Sequence, residues 1–334
     1  MNGLLYSLRS GKNSKFLYFS KALLAECVPP AWDRHRLPAL LDSIERRPDR
    51  DEILRRAEYY CKTPSVASGD TPLKGGAQAP EGIQRFRIGD QKMPKKGQTY
   101  YFDSRSLLRF FPADFRVALR PGDITAVPDE PTLVKARPIA GGNANSVLLP
   151  LNKVRHFLFV DDRRPFAFKR DGAVFRGKVH VNAKRRGLFR ALFESPLCDL
   201  GDTSKNAENP VEWKTGKMTL QDQLAYKFVF AIEGNDVATN LKWVMSSNSL
   251  ALMPRPEFET WFLEGTLVPD VHYVEIAPDY SDAEEKIRWY SEHEEAAEKI
   301  LAAAHAHVAR FRDPARERLT ALLTLKRYFA GQMS

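Results

Sequence analysis

Cysteine is scarce in this chain: three in 334 residues, Cys27, Cys61 and Cys198, far apart and without C-x-x-C spacing. That excludes a disulfide framework and a cysteine-built zinc site, and it fits a reducing compartment. Long apolar runs are missing too. No stretch approaches the roughly 20 residues of a membrane span. The opening MNGLLYSLRSGKNSKFLYFSKALLAEC interrupts its apolar residues every few positions with Lys or Arg, unlike the core of a secretory leader. No repeat recurs at a fixed period. The expectation is a cytoplasmic protein, in solution or peripheral at the inner membrane.

What is present is a globular composition, 43% hydrophobic and 28% charged, in a chain long enough for two lobes with a cleft. Fifty-one Lys and Arg against 42 Asp and Glu leave +9, which suits an acidic partner: a nucleotide sugar, a phosphorylated acceptor, anionic lipid or nucleic acid. The basic residues are dispersed, with no nucleic-acid module and no stacking platform, so nucleic acid is not an expected partner.

Along the chain, residues 14 to 62 carry helical spacing (Phe16, Phe19, Leu23, Leu24, then Leu40 to Tyr60), broken at Pro29-Pro30. The stretch 63–80, TPSVASGDTPLKGGAQAP, reads as a loop, which closes a helical N-terminal portion over 1–80. Short apolar runs at 116–119, 148–151 and 156–160 read as strands of a first α/β lobe, 81–172. A second lobe, 173–295, opens with AVFRGKVHVNAKRRGLFRALFES, a strand, a turn at Gly177, a basic loop and a helix from about Arg186. Residues 282–312 read as one long helix and 316–328 as a basic amphipathic one, so that 296–334 is helical.

The most specific span is KFVFAIEGNDVATNLKWVMSSNSLALMP, 227–254, which reads as strand, polar turn, amphipathic helix and strand. Gly234 permits close backbone approach, and Asn235 or Asp236 can cap a helix carrying Val237, Leu241, Val244 and Met245. Such a unit offers free amides and a positive helix end to phosphate at the carboxyl edge of a parallel sheet. It is equally the pattern of a βαβ unit that binds nothing. The FRG turn adds Arg176, Lys178, Lys184, Arg185 and Arg186 beside a helix start, either a diphosphate clamp or a solvated basic loop. In the first lobe Asp123 stands in the turn GDITAVP, as a general base on an acceptor hydroxyl or as a turn aspartate bonded to its own backbone. Glu257 and Glu259 read as ribose partners or as helix caps. Trp243 and Trp261 read as pocket or core residues. Arg155 and His156, with Arg137, are the acceptor-side candidates, His156 also reading as a structural histidine. His305 and His307 lie two apart on a helix and point to different faces, which is no metal site.

With these residues in view the chain resembles glycosyltransferase family 90, the family of the lipopolysaccharide A, capsule-associated and Rumi-like glycosyltransferases, and within it the bacterial lipopolysaccharide core branch. The resemblance runs over 97–311. It rests on FDSRSLLRFFP (102–112), GDITAVPDEPTLVKARPI (122–139), NKVRHFLFVDD (152–162), FRG (175–177), EGNDVATNLKWVMSSNSLALMP (233–254) and FETWFLEGTLVPDVHYVEI (258–276).

That resemblance implies a GT-B-like α/β fold of two Rossmann-like lobes. It implies inverting transfer from a nucleotide sugar, UDP-linked, to a lipid-linked or oligosaccharide acceptor of lipopolysaccharide or capsule, with no cofactor and no metal. The family's catalytic aspartate falls on Asp123. Its diphosphate-binding arginine falls on Arg185, flanked by Lys184 and Arg186. The donor residues fall on Arg176, Gly177, Lys178, Glu233, Gly234, Asn235, Asp236, Thr239, Asn240, Lys242 and Trp243, with Glu257 and Glu259 beyond. The sequence departs from the Rumi-type pattern at Glu233 and at Asn240, where those relatives carry an arginine. Asp161-Asp162 lacks the one-residue gap of the metal-binding acidic motif of another glycosyltransferase fold, and reads as a surface turn. The long helix from Asp282 reads as a brace for the first lobe. The basic amphipathic end, RERLTALLTLKRYFAGQM, and the Lys-rich aromatic N-terminus each read either as an ordinary packed helix with a wet basic face or as a contact with an anionic inner membrane carrying the lipid-linked acceptor. A catalytically silent glycan- or nucleotide-binding protein is the alternative to an enzyme.

Overall fold

The computed structural model describes residues 10–62, 82–180 and 182–333. The loop expected over 63–80 and the first nine residues lie outside that set. The chain is mixed α/β and divides into two compact units. One consists of 155–257 and 264–310 with the segment ending at Asn13; the other of 14–154, 258–263 and 311–334. The lobes drawn on the sequence are continuous stretches, whereas each unit is assembled from three chain segments.

In chain order, three helices open the structure: α1 (Lys15–Glu26), α2 (Pro30–Asp42) and α3 (Arg50–Tyr60). Ser14 caps α1 by accepting from the Leu17 amide, and Pro30 occupies the first turn of α2, where its missing N–H costs nothing. Next come β1 (Gln84–Arg87), α4 (Gln98–Leu108), β2 (Arg116–Arg120), β3 (Thr132–Val134), β4 (Ala136–Pro138), β5 (Ser146–Leu148) and the single turn α5 (Lys153–His156). They are followed by β6 (Arg170–Gly177), α6 (Ala183–Leu192), β7 (Cys198–Asp202), α7 (Leu220–Gln223), β8 (Tyr226–Phe230), α8 (Leu241–Met245) and β9 (Leu250–Met253). The chain closes with β10 (Phe258–Thr260), β11 (Val274–Glu275), α9 (Ala283–Glu292), α10 (Glu294–Ala309) and α11 (Pro314–Tyr328).

The 155–310 unit holds a five-stranded sheet of order β11-β9-β8-β6-β7, every pair parallel. Its strands are apolar on both faces because helices cover both. Phe175, Phe228, Phe230, Leu250 and Leu252 pack with Leu188 and Phe189 of α6, Ile287 of α9 and Ile300 of α10 in one core. The expected long helix 282–312 is broken at His293, whose backbone (φ −115°, ψ 68°) leaves the helical region. The run 156–160 is not a strand: His156 ends α5 and 157–160 are irregular chain, with Asn13 donating to the Phe157 carbonyl and Ser246 accepting from the Val160 amide.

The other unit holds a mixed sheet of order β1-β2-β3-β5, antiparallel only at β1-β2, and a two-stranded antiparallel ribbon of β4 with β10. Here α11 is a core helix, burying Leu319, Leu322, Leu325 and Tyr328. Arg56 of α3 forks onto Glu317 at 2.7 and 3.0 Å, and Tyr60 stacks on Trp261 at 3.8 Å.

Candidate functional site

A parallel sheet in which the first strand, β6, lies between β7 and β8 has a topological switch point at β6 and β8. The connections leaving those two strands run to opposite faces and open a crevice at their carboxyl ends. The FRG turn and the 233–236 turn meet there. Arg185, on the first turn of α6, spans the gap: Nη1 donates to the Lys178 carbonyl at 2.7 Å and Nη2 to the Ile232 carbonyl at 3.1 Å. A Cβ on Gly234 would stand 3.0 Å from that Nη2, so glycine is what lets the guanidinium lie against the backbone. Asn182 caps α6 by accepting from the Arg185 amide and donates Nδ2 to the Gly234 carbonyl at 2.8 Å. Lys184 binds Glu233 at 2.6 Å and Glu257 at 2.9 Å, and the Glu257 amide donates to the other oxygen of Glu233. Burial alone would lower the lysine's proton affinity, but the two carboxylates outweigh it and raise it. Lys178 and Asn235 are exposed on this rim. Gly177, Lys178, Arg185, Glu233, Gly234, Asn235 and Glu257 are therefore brought together.

Behind the rim, Asp202 at the end of β7 accepts from the Val179 and Ser204 amides, Ser204 Oγ, Asn209 Nδ2 and Lys214 Nζ, at 2.7 to 3.0 Å. Against the cost of its burial, those donors hold the carboxyl far below the usual carboxylate range. Asn209 also reaches the His180 carbonyl and accepts from Arg186, which ties the basic loop down at three points. A Rossmann-type strand often ends in an acid aimed at ribose, but this one is fully used by the loop.

Other expected donor residues are placed differently. Arg176 is held on the sheet by Asp199 at 2.5 Å, lying over Gly201, so it faces the neighbouring strand and not the crevice. Lys242 is fully buried against Glu264, a pairing that a cation inside a core requires. Asp236 and Trp243 are buried, Thr239 is half-buried, and Asn240 donates to the Phe230 carbonyl. The helix expected from 235 or 236 begins only at Leu241 and lasts five residues. β-Branched Val237 and Thr239 with Asn240 fill that interval with turns instead, so the helix end at the crevice belongs to α6.

In the other unit, Glu259 and Arg137 pair at 2.8 Å across β4 and β10, both fully buried, with Tyr59 donating to Glu259. That pair fastens the ribbon and presents neither group to a ligand. Arg155 is exposed and His156 is buried in α5. Of the Asp161-Asp162 turn, Asp161 is exposed, while the side chain of half-buried Asp162 is turned inward, bound to Lys169 at 2.7 Å and to the Asn248 amide.

Asp123 follows β2, after Gly122 at φ +102°, and is anchored by fully buried Ile124. Its side chain is a third exposed, and one oxygen lies 2.8 Å from Nζ of Lys135. Lys135 sits between β3 and β4 with 2% of its side chain exposed. The sequence reading missed it, although a lone lysine inside the apolar run Leu133-Val134-Lys135-Ala136 signals a buried cation in need of a carboxylate.

Residues 148–312 match the family model described as Glycosyl transferase family 90. O-glucosyltransferase LpsA of Dichelobacter nodosus is 39% identical over 319 residues, 95% of each chain. Protein O-glucosyltransferase 3 of Homo sapiens is 32% identical over 137 residues, 40% of this chain and 26% of that protein.

Proposed function

Since the chain belongs to glycosyl transferase family 90 and is a glycosyltransferase, we propose that it moves a sugar from a UDP-linked donor, with inversion, to a lipopolysaccharide core or capsular acceptor. In this reading it works as a GT-B enzyme and needs no metal. The observation that carries it is Arg185, fixed across the carboxyl ends of β6 and β8 beside Gly234, at the place where open parallel sheets bind nucleotides.

The chemistry follows from the groups present. As the acceptor oxygen bonds to the anomeric carbon, its proton passes to Asp123 and the bond to the diphosphate breaks. Arg185 and Lys178, with the amides of the first turn of α6, meet the charge that develops on the leaving diphosphate. Glu257 offers the ribose a hydrogen-bond acceptor. Lys135 keeps Asp123 oriented for the next turnover. The glucosyl transfer named for the bacterial relative makes UDP-glucose the first donor to assay.

Asp123→Asn is expected to abolish transfer while leaving donor affinity within a few-fold, measured by product formation and by donor titration. Retained turnover would remove Asp123 from the mechanism. Transfer is expected to survive a chelator, and strict dependence on manganese would contradict the metal-free reading.

A further inference from the structure

The two faces of α1 differ sharply. Toward α4, Tyr18 donates to Asp103 at 2.8 Å, Phe19 meets Phe102 edge-on at 5.9 Å, and Glu26 lies 3.7 Å from Arg105. On the other side Phe16, Leu17, Leu23 and Leu24 are 78, 57, 55 and 69% exposed. At about 100° per residue these four fall within one arc of about 120°. Ser20 lies inside the same arc, between the pairs Phe16 with Leu23 and Leu17 with Leu24, and apolar exposure clustered on one helix face in this way marks an interaction surface.

Charge selects the partner. Between Ser14 and Arg36 the acids are Glu26 and Asp33, and both are turned to arginines of the same unit, Asp33 lying 2.6 Å from Arg109. Lys15, Lys21 and Arg36 are exposed, and Arg36 sits 5.8 Å over the ring of exposed Trp32. An apolar face whose exposed charged neighbours are Lys15 and Lys21, with Glu26 paired to Arg105 and an amphipathic aromatic on the next helix, matches the interface of an anionic bilayer. A second copy of this face would instead set like charges against each other. The basic helix α11 is not an equivalent candidate, because its apolar face is spent on the core.

We propose that the outer face of α1 docks the protein on anionic membrane, with Phe16, Leu17, Leu23 and Leu24 entering the headgroup boundary. The proposal is independent of the reaction catalysed. The full chain would be sedimented with vesicles of phosphatidylcholine, with and without phosphatidylglycerol, at rising sodium chloride. Binding is expected only with the anionic lipid and is expected to fall with salt. Phe16→Ser/Leu24→Ser should weaken it at least tenfold and Lys15→Gln/Lys21→Gln several-fold, both with unchanged thermal melting. Failure of the wild-type chain to bind anionic vesicles, or wild-type binding by the serine variant, would overturn the proposal. So would a wild-type dimer that the serine substitutions make monomeric, since the face would then belong to a second copy.

Discussion

Lys135 shows what a single side chain can hide in a linear pattern. Asp123 was visible as a turn aspartate before Val127-Pro128, but nothing near it in the chain named its cation, which arrives 12 residues later from the strand edge. If the pair acts as proposed, Lys135→Met, close in volume, should lower kcat at least tenfold with donor affinity unchanged, and wild-type turnover would dismiss the positioning role. The same logic separates the arginines. Arg176 and Arg185 are alike in sequence, both basic and near the FRG turn, yet one is bound to Asp199 and the other bridges two strand ends. Only their partners distinguish them.

At the scale of elements, the strands around 227–254 were legible because continuous apolar runs bounded by polar turns have few alternatives in an α/β chain. The intervening helix was overestimated. Apolar spacing at Val237 and Leu241 matched a helical period, but the chain uses Val237 to Asn240 as turns and starts α8 at Leu241. Gly234 is the position where this geometry can be tested. Gly234→Ala puts a methyl 3.0 Å from the Arg185 guanidinium, which is pinned by two carbonyls. The Michaelis constant for the donor should rise roughly tenfold while stability changes by less than about 1 kcal/mol, read from kinetics and urea unfolding. Asp202 tests the loop behind. Its proton affinity is depressed by folding, so its network stabilises the protein above the ordinary carboxylate range and loses that contribution as pH falls through the depressed value. Asp202→Asn should therefore lower the unfolding midpoint at neutral pH and flatten its acid dependence, as followed by thermal melts across pH.

At the scale of the molecule, the 14–154 unit is completed by 258–263 and by α11. Arg56 and Glu317 meet although 261 residues separate them, and Trp261 donates to the same carboxylate. Glu317→Ala leaves a buried guanidinium without its carboxylate, with an expected cost of about 3 to 5 kcal/mol in urea denaturation. A loss below about 1 kcal/mol would mean that the unit does not depend on this fastening. Among the described residues no helix is long and apolar enough to cross a membrane, and the outer face of α1 keeps Phe16, Leu17, Leu23 and Leu24 exposed.

The sequence by itself determined the α/β class, the strand-turn-helix units, the scarcity of cysteine and the long motifs that mark the family. These depend on propensity, periodicity and short strings, which act over a few residues. Tertiary structure alone decided the strand order that makes β6 and β8 a switch point. It also decided which cations are consumed inside the fold, the pairing of Asp123 with Lys135, and which helix keeps an exposed apolar face. The reason is physical: a charge or an apolar face is satisfied by whatever the folded chain brings against it, and that neighbour is seldom adjacent in sequence.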